Sequence, residues 1–444
     1  LGLSRRLDVL NYSESLAIAY QNKSKKVRNY VEQEICDRLD VAALKLISTK
    51  NSNSKELTAL HDQVKLEIKK SLPVVHDLSV SPDVSKRRKA AIVLRNASHD
   101  ESSTILYRLI RDLNEETKSE AVVTAALNVH VELAISIVEM LSDSRFGNVA
   151  FAALKRMGDS VLDVLEVSFY KTGVDQLTQM KLIELIGCCE TKKAVKVLYK
   201  KISYPHRLIV FAAIEQLEMR NSAVDGDSEY MLLNVLNELI GSIALIISVR
   251  NFIDENIEHS KLLASALDRE LSNNFARLFS VLKLLYDAKS VSYVEENLKD
   301  GSPESIGFAM ELMELFISEN LKPKLFPLFE DISHSNKIKK LADYFPIEHV
   351  NEENFLRVIL SHDITEISSW SKCVAMHTQT DAIEDGLIAH FKSNVFGRSP
   401  ILYETAGYLL SKNNAEALTS VASRLSHEKN TAISKLNELV SKEN

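Results

Sequence analysis

Residues 121–173 read AVVTAALNVHVELAISIVEMLSDSRFGNVAFAALKRMGDSVLDVLEVSFYKTG, two similar segments laid end to end. Each opens on a small-residue apolar cluster, AVVTAAL at Ala121 and VAFAALKRM at Val149, and continues after a polar break into a second, AISIVEML at Ala134 and VLDVLEV at Val161. The apolar residues fall three and four apart, which is the period of an α-helix with one buried face. Working outward, first-helix clusters recur as AAIVLRN at Ala90, MKLIELIG at Met180 and IVFAAIEQL at Ile209, and second-helix clusters as TILYRLI at Thr104 and AVKVLYKKI at Ala194. A helix–turn–helix unit recurring about every thirty residues cannot bury its apolar face alone, so neighbouring units must stack. The expected fold is all-α, an α-α superhelix of stacked helix pairs of the HEAT/armadillo type.

Composition agrees with that reading. In a chain of 444 residues, 12 glycines and 8 prolines are too few for the turns of a large β protein, whereas helices joined by short polar turns need few. Ser81-Pro82-Asp83, Ser302-Pro303-Glu304 and Ser399-Pro400 each set a hydroxyl ahead of a proline, predicting an N-cap followed by proline at the first helical position. Tyr204-Pro205 predicts a start without the cap.

Four blocks are expected. Residues 1–80 form an irregular helical segment capping the stack, with the loop STKNSNSK at 48–55 as a break. Residues 81–227 are the HEAT-repeat block, closed by a weak boundary near 221–227. Residues 228–331 hold a long-helix insertion followed by a HEAT-like pair. In it Phe275, Leu278, Phe279, Leu282, Leu285 and Tyr286 make a core stripe of helical period. Residues 332–444 supply further short helices, and residues 428–444 a polar cap. The longest apolar run, LIGSIALIISV at 239–249, is far short of the ~20 residues that cross a bilayer and predicts a buried helix. The chain opens on Leu rather than Met, which leaves room for a larger parent protein.

A more particular resemblance rests on residues 277–331, RLFSVLKLLYDAKSVSYVEENLKDGSPESIGFAMELMELFISENLKPKLFPLFED, preceded by the insertion from Ser228. This order of parts resembles the soluble HEAT segment of bacterial proteins that join an ATP/ADP-translocase-like membrane domain to HEAT repeats, often with a cyclic-nucleotide-binding domain beyond. The similarity spans roughly residues 81–440, with its specific portion in the middle third. The chain departs from the whole-protein pattern in having neither membrane spans nor the Gly-rich phosphate cassette, so transport and nucleotide binding do not carry over. What the resemblance implies is a cytoplasmic, regulatory helical module beside a transporter-like domain.

No residue set stands out as catalytic, cofactor-binding or metal-binding. Twelve histidines are scattered from His61 to His427 without HExxH or Cys/His ligand spacing. Asp225, Asp227 and Glu229 lack the ligand order of a calcium loop and read as a solvated acidic loop. Cys36, Cys188, Cys189 and Cys373 show no CxxC spacing and read as reduced thiols, the adjacent pair as packing. Glu115 and Glu116 exemplify carboxylate pairs that spacing alone cannot make catalytic. Lys86, Arg87, Arg88 and Lys89, with Lys23, Lys25, Lys26 and Arg28, are the candidate phosphate or acidic-partner patch, weighed against a plain solvated helix face. Trp370, the single tryptophan, is either an exposed anchor or, as is more common, a core residue.

The expected function is therefore a non-enzymatic protein–protein interaction or regulatory scaffold whose partner is an unidentified protein or peptide. Two rivals stand beside it. One is a nucleic-acid-binding, DNA-glycosylase-like solenoid, disfavoured by a net charge of -7. The other is a small-molecule sensor with a pocket flanked by residues 239–249 and 275–286.

Overall fold

The computed structural model describes residues 9–38, 43, 46–47, 55–96, 99–220, 224, 226–253, 258–345, 350–351, 353–364, 366–379 and 381–443. Most of the 48–55 and 221–227 breaks lies outside them, as does Asp225. The described residues are all-α, without a strand. They divide into two compact units, Leu1–Val197 and Leu198–Asn444.

In the first unit the helices are α1 (Val9–Tyr20), α2 (Lys25–Arg38), α3 (Lys55–Ser79), α4 (Val84–Val93), α5 (His99–Leu109), α6 (Glu115–Leu127), α7 (Ala134–Val138), α8 (Gly147–Met157), α9 (Leu162–Phe169) and α10 (Gln176–Gly187), with α11 (Lys192–Lys201) running into the second unit. Every cluster aligned above overlaps one of these or, at Ile209, the next. The first helices stack in chain order, α4 on α6, α6 on α8, α8 on α10, and α7 packs on α9. Alanines let the first helices approach closely: Ala90, Ala91, Ala121, Ala125, Ala126, Ala150 and Ala153 are all buried. Two polar side chains lock neighbours at matching positions, Thr124 Oγ1 donating to the Ala91 carbonyl and Asn128 Nδ2 to that of Leu94, each at 2.9 Å.

The capping expectations need one correction. At Ser302-Pro303 the serine oxygen accepts from the Ser305 N–H with proline at the first turn, as read from the sequence. At Ser81-Pro82-Asp83 the cap is Asp83, whose carboxylate accepts from the Ser85 N–H at 2.8 Å, and α4 starts only at Val84. The reason is that a carboxylate is a stronger acceptor than a hydroxyl and complements the helix dipole. Ser399 caps without a side-chain bond.

The second unit holds α12 (Arg207–Met219), α13 (Gly226–Arg250), α14 (Glu258–Leu285), α15 (Ala288–Asp300), α16 (Pro303–Phe316), α17 (Lys322–Phe329), α18 (His334–Leu341), α19 (Phe355–Ser361), α20 (Ser369–His377), α21 (Ile388–Val395), α22 (Pro400–Asn413), α23 (Ala415–Ala422) and α24 (His427–Glu443). Its centre is the long hairpin α13–α14, which meets α12, α15, α17, α18, α19 and α20. Chain neighbours are thus not the only partners here. The 239–249 run lies within α13, which is long and apolar enough by composition to cross a membrane, yet 72 % of its apolar window is buried inside the protein. Of the α14 stripe, Leu278, Phe279 and Leu282 are buried, and Phe275 and Phe279 pack against Phe329 with ring centroids 5.6 and 5.7 Å apart.

Two glycines mark close approaches. A Cβ on Gly241 of α13 would stand 3.2 Å from the Phe345 ring, and one on Gly407 of α22 would stand 2.7 Å from Ile433 of α24.

Candidate functional site

A constellation absent from the sequence reading lies between α5 and α7. Ser102 Oγ is 3.0 Å from His130 Nε2, and His130 Nδ1 is 2.9 Å from Glu132 Oε1. Ser103 Oγ donates to the same carboxylate oxygen at 2.5 Å and lies 3.3 Å from His130 Nδ1. Serine, histidine and carboxylate in this order have the connectivity of a nucleophilic triad. Access decides otherwise: Ser102 and His130 are both 0 % exposed, so no substrate carbonyl can reach the hydroxyl. The group instead pins one repeat to the next. Burial would raise the Glu132 pKa, but the hydrogen bonds from Ser103 and His130 outweigh it and hold the carboxyl down at about 2. Val129, just before the histidine, sits at φ 55, the left-handed region that a β-branched residue avoids. The usable signal in the sequence was positional: Ser102 and His130 are one repeat length apart.

The basic run is largely committed within the protein. Arg87 grips Asp112 through two hydrogen bonds of 2.6 and 3.0 Å and also donates to the Ser81 and Pro82 carbonyls. Arg88 pairs with Glu116 and Glu120, and Arg95 with Glu120. Only Lys86 and Lys89 of the four point to solvent as exposed residues, and Lys23, Lys25 and Lys26 are exposed at the start of α2. Glu115 and Glu116 are likewise held, by Arg145 and Arg88.

Cys188 is half-buried, while Cys189 and Cys373 are buried. The side chain of Cys36 lies outside the described residues. Burial pushes the Cys373 thiol up despite a hydrogen bond from Thr405, which keeps it protonated and unreactive. Asp227 and Glu229 lie in the first turn of α13, where carboxylates complement the helix dipole. Among the described residues no three His, Cys, Asp or Glu side chains gather as metal ligands. Trp370 is 49 % exposed in the first turn of α20, not a core residue.

The second helices of the first unit carry the most regular surface feature. Arg111 bonds Ser136 at 2.8 Å and Lys171 bonds Glu139 at 2.8 Å, a polar ladder along the C-terminal ends of α5, α7 and α9. Four residues before Arg111, Glu139 and Lys171 stand Tyr107, Ile135 and Val167, exposed by 51, 55 and 73 %. Tyr107 lies under the Arg111 guanidinium, 3.7 Å from its carbon. One position per repeat thus presents an apolar side chain beside a stitched polar one.

No protein-family model matches the chain, and no curated protein matches it. Among solved structures, a crystal structure of an engineered protein aligns over 96 % of this chain and 98 % of that one, at 13 % identity and a TM-score of 0.26. A score that low carries no inference about fold or function.

Proposed function

We propose that the chain is a HEAT-type solenoid acting as a non-catalytic scaffold that binds a protein or peptide partner, in the cytoplasm and, in keeping with the resemblance above, beside a transporter-like membrane domain. The observation that carries the reading is the row Tyr107, Ile135 and Val167, exposed at one position per repeat. Stacked units displaying equivalent residues create an extended surface suited to a partner that touches several repeats at once. Side chains of this kind, large and apolar beside arginine and lysine, are the types that anchor protein interfaces.

The test is affinity capture with the whole chain as bait, with nuclease treatment and a high-salt wash, run in parallel with a variant carrying Ile135→Glu and Val167→Glu. A defined protein retained after nuclease by the parent chain and lost from the variant supports the proposal. Recovery of nucleic acid alone, released at high salt, overturns it in favour of the nucleic-acid reading.

A further inference from the structure

Helix α16 carries apolar side chains on two opposite sides, where a helix packed on a core needs only one. Ala309 and Met313 are buried, and the helix packs on α15 and α17. On the opposite side Glu304, Phe308, Glu311 and Leu315 follow one another at intervals of four, three and four residues, which lines them up in one narrow sector of the helix. All four are exposed, Phe308 by 55 % and Leu315 by 82 %. A single exposed apolar side chain is ordinary, but these two share one line, about 10 Å apart along the axis. Gly307 stands beside Phe308 with nothing within 4 Å of where a Cβ would be, so the backbone on that flank is bare.

The charge along this line has one sign. Glu304 sits in the first turn, where it complements the helix dipole, but Glu311 is mid-helix and has no such role. The helix itself contains no Lys, Arg or His. Lys322, which reaches back to α16, is spent on Glu314 at 2.9 Å and on Glu319 at 2.6 Å, and among the described residues Glu304 and Glu311 take part in no ion pair. That sign selects the occupant. A second copy docking through the same face would set carboxylate against carboxylate, and an anionic lipid surface or a nucleic acid would meet the same repulsion. A helix with lysine or arginine along a line of apolar residues answers both features at once. Its apolar side chains cover Phe308 and Leu315, and its cations flank Glu304 and Glu311.

We propose that the face of α16 formed by Glu304, Phe308, Glu311 and Leu315 is a docking surface for a basic amphipathic helix of a partner protein. This face belongs to the second unit and the row Tyr107, Ile135 and Val167 to the first, so either can fail without the other.

The whole chain is titrated, by fluorescence anisotropy, with a labelled synthetic helix carrying leucine at the a and d positions of each heptad, lysine at e and g, and alanine elsewhere. A scrambled peptide of the same composition and one with glutamate in place of lysine are the controls. Saturable binding of the first peptide alone is expected, weakened about tenfold or more by Leu315→Ser, Phe308→Ser or Glu311→Lys. Glu190→Lys, the same charge change at an exposed position of the first unit, should leave it unchanged. All the substituted side chains are exposed, and circular dichroism checks that the variants are helical. Independently of any variant, carbodiimide labelling of the unmodified chain should show Glu311 protected by the peptide and Glu190 not. Equal binding of either control peptide, no loss in Leu315→Ser, or no protection of Glu311 overturns the proposal. So does loss of the peptide from the Ile135→Glu and Val167→Glu variant instead, or self-association or vesicle binding that Leu315→Ser abolishes.

Discussion

The carboxyl of Glu132 is neutralised only at unusually low pH, and this has a definite sign for stability. A carboxylate whose native pKa of about 2 lies below its ordinary 4.5 stabilises the fold fully above the ordinary value and loses that contribution as pH falls through the native one. Urea unfolding of the parent chain and of Glu132→Gln should therefore differ at neutral pH and converge between pH 5 and 2; a constant gap would show that Ser103 and His130 do not act through the charge. Glu270 is a second single-residue anchor. It accepts the Ser368 N–H at 2.6 Å and both the Ser368 and Ser371 hydroxyls, so one carboxylate of α14 caps α20 from about a hundred residues away. Glu270→Ala should cost about 1–3 kcal/mol by denaturant titration, the range for stranding buried hydrogen-bonding groups. Neither anchor was legible beforehand: Glu270, Ser368, Ser102 and His130 are ordinary residues of charged or polar helices until packing brings them together.

Among the elements, α22 and α24 depend on an absent side chain. With Ile433 atoms at 2.7, 2.8 and 3.0 Å from the Cβ that alanine would bring, Gly407→Ala must displace the whole isoleucine rather than its tip. A loss of about 1–3 kcal/mol is expected, with faster amide exchange in α24. Gly307, exposed in α16 with nothing near its Cβ, should respond in the opposite sense, Gly307→Ala gaining about 0.5–1 kcal/mol. The helices themselves were readable, because apolar period and capping chemistry are local. VAFAALKRM and MKLIELIG declare their buried faces without reference to anything distant. Their starts were less so. At Ser81-Pro82-Asp83 two cap residues compete, and the winner is set by acceptor strength rather than by order in the chain.

Across the whole molecule, the two units should transmit damage differently. In the first, contacts reach the next repeat and fade, so Asp112→Ala, which removes the two carboxylate bonds of the half-buried Arg87 guanidinium, should cost about 1–3 kcal/mol. Its amide-exchange footprint should centre on α4 to α6 and fade within a repeat. In the second, Leu267 of α14 belongs to a core that also holds Val358, Met376, Phe391 and Leu409. Leu267→Ala should accelerate exchange in α13, α14 and α19 to α22 together, at about 2–5 kcal/mol. Equal footprints for the two substitutions would contradict the difference in architecture.

The remote anchoring of α20 by Glu270 also sets an order of events during synthesis. Repeats that touch only their neighbours can form as they leave the ribosome, because each contact closes a short loop. The α13–α14 hairpin has no such option: its partners α18, α19 and α20 are made only well after it, and joining Glu270 to Ser368 closes a loop of about a hundred residues, which is slow. For that interval the one helix among the described residues that is long and apolar enough to cross a membrane is bare, so the nascent second unit, rather than the repeats, is where a chaperone would be needed.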